Sequence, residues 1–141
     1  MKLLLLLPMA ATLLSADFQA AMKEPNLERR SERLLENADA AMDEARRAYD
    51  AADNKGFDTA LKEVGDSAEA SFQALRDTGK SGRKHPKYFK KAELKTRELS
   101  KRLDTFEKDV SMDHRPTVLA VKHRVDELND KLVMEIMTKK K

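Results

Sequence analysis

Residues 86–110 read PKYFKKAELKTRELSKRLDTFEKDV, and this stretch decides the fold. Its small and apolar side chains recur at alternating spacings of three and four residues, at Phe89, Ala92, Thr96, Leu99, Leu103, Phe106 and Val110. Such a spacing brings side chains onto one side of an α-helix. Pro86 suits the first turn of a helix, where a backbone N–H has no helical partner. The stretch therefore predicts an amphipathic helix that buries one continuous stripe.

Three further stretches show the same spacing, at residues 34–52, 57–75 and 118–136. The first is rich in alanine, which allows a partner helix to approach closely. Gly56 is expected to end this helix, because glycine is the usual residue just beyond a helix C-terminus. Gly65 lies inside the second stripe and is expected to weaken that helix by about 1 kcal/mol relative to alanine. Each of the three stretches predicts another amphipathic helix.

Four helices joined by short connections predict an all-α fold, which is either a small antiparallel four-helix bundle or a pair of stacked helical hairpins. The chain has only four glycines and four prolines, whereas an all-β chain of this length needs many turns. About 120 residues can support one modest core. We therefore expect residues 22–141 to form a single helical domain.

The N-terminus predicts a signal for export. A charged start precedes a mostly apolar run from Leu3 to Leu14, and the small residues Ala16 and Ala20 follow it. The run is shorter than the roughly 20 apolar residues that a membrane-spanning helix needs. We interpret residues 1–21 as a signal peptide, which places the rest of the chain in a periplasmic or extracellular compartment. The alternative is an uncleaved membrane anchor, because neither candidate cut leaves a small residue three positions upstream.

The composition argues against an enzyme or a metalloprotein. The chain has no cysteine, which excludes disulfides, zinc–thiolate sites and thiol catalysis. Residues 50–58 carry the acidic residues and glycine of a calcium-binding loop, but Lys55 occupies a position where such a loop needs an oxygen ligand. The histidines are expected to be exposed, in loops or opposite a core stripe, at His85, His114 and His123. We therefore expect no cofactor and no enzymatic activity.

Positive charge is concentrated in the middle of the chain. Residues 80–102 contain 10 bases and 2 acids, whereas residues 17–77 contain 15 acids and 9 bases. Six cations crowd into a loop and the helix start after it, and we call them the basic segment: Lys80, Arg83, Lys84, Lys87, Lys90 and Lys91. They indicate a polyanion site. The alternative interpretation is a solvated helix face that attracts the acidic first half of the chain.

The charge pattern and the N-terminus together suggest an exported helical binding or structural protein of the cell envelope. Its expected ligand is an anionic envelope component, such as a lipid headgroup, an anionic glycan or polyphosphate. Nucleic acid is disfavoured because the chain has few aromatic side chains on which bases could stack. The alternative is a helical adaptor or chaperone-like protein that binds a protein partner in an apolar groove lined by Leu35 and Met42. The sequence identifies no specific partner and no oligomeric state.

Overall fold

The computed structural model describes residues 17–138 of the chain. Four long helices follow one another: α1 (Leu27–Asp50), α2 (Asn54–Asp77), α3 (Pro86–Asp109) and α4 (Arg115–Met137). Residues 17–22 are also helical, and no residue between 17 and 138 lies in a β-strand. The prediction of an all-α fold is therefore confirmed. Most of the predicted signal peptide, residues 1–16, lies outside the described residues, so that interpretation stays a prediction.

Side-chain caps fix where the first two helices begin. The carboxamide oxygen of Asn26 accepts a hydrogen bond from the backbone N–H of Arg29 at 3.0 Å, and α1 starts directly after it. Asp53 does the same for α2, accepting from the N–H of Gly56 at 2.9 Å. The expectation that Gly56 ends the first helix is wrong. That helix ends at Asp50, and Gly56 belongs to the first turn of α2 because Asp53 is the better cap.

The four helices form two hairpins that lie side by side. α1 packs most extensively against α2, and α3 against α4, in each case with the chain running in opposite directions. Between the hairpins α1 lies beside α3 and α2 beside α4, so these neighbours run parallel. The connection at residues 78–85 therefore joins helices at opposite corners and crosses one end of the bundle. This connection carries half of the basic segment, and the other half lies at the start of α3.

One hydrophobic core runs between the hairpins. Every stripe residue of residues 86–110 is buried, as the spacing predicted. The contribution of α1 is mainly small side chains, with Ala38, Ala41 and Ala45 all fully buried. α3 supplies large side chains to the same core, among them Leu99 and Phe106. Small residues on one helix and large residues on its neighbour allow dense packing at a short distance between helix axes.

The end of the bundle opposite the basic segment is closed around His114. Its ring contacts Tyr49 and Phe57 edge-on, with centroids 5.3 and 5.0 Å away. The two ring nitrogens lie 2.8 Å from the Ser111 hydroxyl and 3.0 Å from the Asn54 side-chain oxygen. The expectation that all three histidines are exposed is therefore wrong for His114, which is half-buried and joins three helices. His85 and His123 are exposed as expected.

Gly65 leaves room for an arginine that connects the hairpins. The guanidinium of Arg124 lies against the Gly65 backbone, where a Cβ atom would stand only 2.3 Å from its Nη1. Arg124 donates to Asp66 and Glu69 on α2, both at 2.8 Å. Burial alone would raise the pKa of Asp66, but hydrogen bonds from Lys62 and Arg124 outweigh it, so the pKa lies below its usual value. The glycine is therefore needed for this contact.

We predict that the effect of Gly65→Ala on the free energy of unfolding depends on whether Arg124 is present. In the Arg124→Ala background the substitution stabilises the protein by up to about 1 kcal/mol, because alanine is the better helix former. In the wild type it fails to stabilise or destabilises, because the methyl group pushes Arg124 away from its two carboxylates. Urea unfolding of the four proteins in this double-mutant cycle measures the coupling, which we expect to be about 1 kcal/mol. Equal stabilisation in both backgrounds would contradict the role given to Arg124.

Candidate functional site

The basic segment lies at one end of the bundle, on the connection at residues 78–85 and the first two turns of α3. The connection is shaped by its own hydrogen bonds. Its Thr78 hydroxyl accepts from the N–H of Lys80 at 3.1 Å, and the Ser81 carbonyl accepts from the N–H of His85 at 2.8 Å. Gly82 is buried against Phe89 at the start of α3. The cations are therefore presented from a connection that is fastened to the end of the bundle.

Two of the six cations take part in ion pairs with α1. The ammonium of Lys80 lies 3.3 Å from Glu28, and that of Lys91 lies 3.0 Å from Glu32. The hydrogen bond with Glu32 raises the pKa of Lys91. These pairs agree with the alternative interpretation, in which the acidic first half attracts the basic segment. Lys80 and Lys91 therefore contribute to the α1–α3 contact and offer less charge to a ligand.

The ion pairs continue along the line where α1 and α3 meet. Lys95 contacts Asp39 at 2.8 Å, and Arg102 contacts Asp43 at 2.7 Å. Further along, the direction reverses, with Arg46 of α1 contacting an acid of α3 at 2.9 Å. Several acidic side chains of α1 are thus paired with basic side chains of α3, the helix that runs parallel to it. Since the paired side chains are partly exposed, each pair adds little stability.

The other four cations of the basic segment form a separate group. They are all exposed, and within residues 17–138 no carboxylate oxygen lies within 4.0 Å of their charged nitrogens: Arg83, Lys84, Lys87 and Lys90. We call these residues the free cations. They fall within a stretch of eight residues, 83–90, so their charges repel one another. The sequence did not separate them from Lys80 and Lys91, because the distinction depends on which helix lies beside α3.

Tyr88 lies among the free cations but does not offer an open stacking surface. It is half-buried and packs against the hydrophobic core. The ammonium groups of Lys87 and Lys91 lie 5.3 and 5.5 Å from the centre of its ring. The tyrosine therefore positions neighbouring lysines through cation–π contacts. An anion at this surface would meet charge and hydrogen-bond donors, with little aromatic area.

The start of α3 adds backbone donors to the same place. His85 occupies the capping position, but its side chain makes no capping hydrogen bond. The first N–H groups of α3 are therefore not satisfied by this side chain, and the positive end of the helix dipole points toward Lys84 and Lys87. A helix start of this kind supports anion binding where cationic side chains already attract the ligand. The arrangement suits a ligand with several negative groups.

The apolar groove expected between the alanine-rich helices is not open. Leu35 and Met42, which were to line it, are each only 3% exposed and belong to the core. The second hairpin packs where a partner protein was expected to bind. Leu35 and Met42 therefore do not line an open groove, and the protein-binding alternative itself stays a prediction. The alanine stripe serves packing within the chain.

Residues 17–138 contain no group of three or more His, Asp or Glu side chains arranged to hold a metal ion. Asp53 belongs to residues 50–58, the stretch compared above with a calcium-binding loop, and its side chain caps α2. No helix in this part of the chain is both long enough and apolar enough to cross a membrane. Comparison of the chain with protein-family models, curated proteins and solved structures finds no match.

A buried polar cluster between α1 and α2 was missed by the sequence reasoning. Asn37 donates to Ser67 at 2.8 Å and to Glu63 at 3.2 Å, and all three side chains are buried. Ser31 and Ser71 share a hydrogen bond of 2.7 Å in the same interface. Burial raises the pKa of Glu63, although the hydrogen bond from Asn37 opposes the shift. The serines were the available signal, because they fall at helical spacing beside the apolar stripe.

We predict that Glu63→Gln stabilises the protein at neutral pH and that this gain disappears in acid. A carboxyl group whose pKa is raised in the folded state binds its proton more tightly there, so folding stability falls as pH rises through the window above the unfolded pKa of about 4.3. Glutamine removes the buried charge and still accepts from Asn37. The expected rise in Tm near pH 7.5 is small, and it vanishes below about pH 4. The exposed Glu127→Gln serves as the control and should show no such pH dependence.

Proposed function

We propose that this chain is an exported helical binding protein that holds a polyanion through the free cations. The observation that supports this proposal most directly is the division of the basic segment. Lys80 and Lys91 have carboxylate partners on α1, whereas Arg83, Lys84, Lys87 and Lys90 have none within the described residues. Two of the six cations are paired with α1, and the other four lie close together in sequence, without a carboxylate partner, at one end of the bundle.

The fold gives no structural reason for this concentration of charge. The free cations lie outside the buried core, and their mutual repulsion disfavours the folded state slightly. A surface that served only solubility would be expected to intersperse both signs of charge. The helix start adds backbone donors beside Lys84 and Lys87. Together these features favour a ligand that carries several negative charges.

The class of ligand follows from what surrounds the charge. Base stacking needs exposed aromatic rings, and the nearest ring, Tyr88, packs against the core. Single-stranded nucleic acid is therefore disfavoured. Lipid headgroups, anionic glycans and polyphosphate present repeated negative groups that need no stacking. These are the ligands we assign to the proposed site.

We predict that replacing the four free cations by glutamine abolishes salt-sensitive polyanion binding without unfolding the protein. Binding to vesicles with anionic lipids and to polyphosphate, measured at low salt, should fall at least about tenfold, because several charge contacts are lost. The Tm should change little, since exposed side chains away from special features contribute less than about 0.5 kcal/mol each.

The matched control removes the same number of charges from Lys55, Lys62, Lys108 and Lys122, none of which lies at the end of the bundle that carries the free cations. This variant has the same net charge as the first, so it should keep most of the binding if the site is local. Equal losses in both variants would mean that only net charge matters. Absence of binding by the wild type at low salt would overturn the proposed function.

Export is the second part of the proposal and has its own test. Intact mass of the protein recovered from the envelope or the medium of the producing cells should lack the residues up to Ala16 or Ala20. A mass that retains Met1 in the membrane fraction would indicate an uncleaved anchor. Full-length protein found only in the cytosol would contradict export altogether.

A further inference from the structure

A second cationic site lies in the groove between α1 and α3. This groove has a volume of about 500 Å³. Four cations line it, two from each helix: Arg46, Arg47, Lys101 and Arg102. Among the described residues Asp43 is the only acidic one in the lining, and Met42 and Phe106 also border the groove but are only 3% and 1% exposed. The groove lies on the same side of the bundle as the ion pairs between α1 and α3, but further from the basic segment.

Carboxylates at the edges hold the arginines and leave donors available. Arg46 contacts Asp109 at 2.9 Å, and its guanidinium carbon lies 4.6 Å from the centre of the Phe106 ring. Arg102 contacts Asp43 at 2.7 Å. A guanidinium has five N–H donors, and these contacts occupy only part of them. The carboxylates therefore fix the positions of the arginines, which offer N–H donors, and in the described part of the chain the unpaired charge of the groove comes from Lys101.

Lys101 connects the groove with the free cations. No carboxylate oxygen within residues 17–138 lies within 4.0 Å of its ammonium, although Lys95 and Arg102 nearby are paired. Lys101 follows Lys90 by eleven residues on α3, which corresponds to about 16 Å along the axis and about 20° around it. Lys90, Arg97 and Lys101 therefore lie on one face of the helix. This face leads from the free cations to the groove.

We propose that the groove is a second contact site for the same ligand, and that this ligand is a flexible chain-like polyanion long enough to reach from the free cations to Lys101. The inference rests on the proposed function. Concave shape distinguishes a chain from a bilayer, because a flat array of headgroups cannot enter a groove to contact Arg46 and Arg102. Two contacts on one chain raise the apparent affinity, because the second contact forms at a high effective concentration.

The test compares a short and a long linear anion on the full chain. The probes are tripolyphosphate and long-chain polyphosphate, and the groove variant is Arg47→Gln with Lys101→Gln. Both residues are exposed, and within residues 17–138 Arg47 pairs only with the neighbouring Glu44, so the fold should tolerate the change. The control with equal charge loss is Lys55→Gln with Lys62→Gln, both exposed and away from the free cations and the groove. The groove variant should bind the long chain at least about tenfold more weakly and tripolyphosphate nearly as the wild type does.

The outcomes separate this inference from the proposed function. In one outcome the wild type binds the long chain, and loss of the free cations weakens that binding, while the groove variant behaves like its control. In that case the groove is not a second site, and this inference is overturned while the proposed function stands. If the groove variant also weakens vesicle binding tenfold, the ligand is not restricted to a chain and the inference fails in that respect. If the wild type binds neither probe nor vesicles, both proposals are overturned.

Discussion

Close packing of α1 against its neighbours is the constraint on which the rest of this molecule depends. Four of the nine side chains that α1 buries are alanines, and Ala38, Ala41 and Ala45 have no exposed surface. Small side chains allow helix axes to approach each other closely. The larger leucines and phenylalanines of the other helices fill the core that results. Replacing this seam by large residues would therefore force the two hairpins apart.

The parallel placement of α1 beside α3 decides which charges remain available. Because the two helices start at the same end of the bundle, the acids of α1 meet the bases of α3 in order, from Glu32 with Lys91 to Asp43 with Arg102. Bases beyond the reach of α1, on the connection and on the outer face of α3, have no such partners. The free cations are thus a consequence of topology as well as of composition.

The sequence predicts the helices and their buried faces well, because both follow from spacing within one segment. Leu99 and Phe106 are buried as the stripe of residues 86–110 required. Spacing does not reveal which helices become neighbours, and the pairing of Lys91 with Glu32 could not be derived for that reason. Gly65 could be recognised as unfavourable for a helix, but its purpose depends on Arg124, 59 residues later. The sequence therefore located the basic segment, but only the structure distinguished its two paired cations from the free cations.

Salt would separate two roles of charge in this chain, which are ion pairing within the fold and the proposed binding of a polyanion. The ion pairs between α1 and α3 join partly exposed side chains, so each contributes between zero and about 1 kcal/mol to folding. The apolar core, which salt does not screen, carries the stability. The polyanion binding that we propose would depend on several unpaired cations at once, so it would weaken steeply as salt rises. The bundle should consequently remain folded at salt concentrations that release its ligand, because binding and folding depend on different groups.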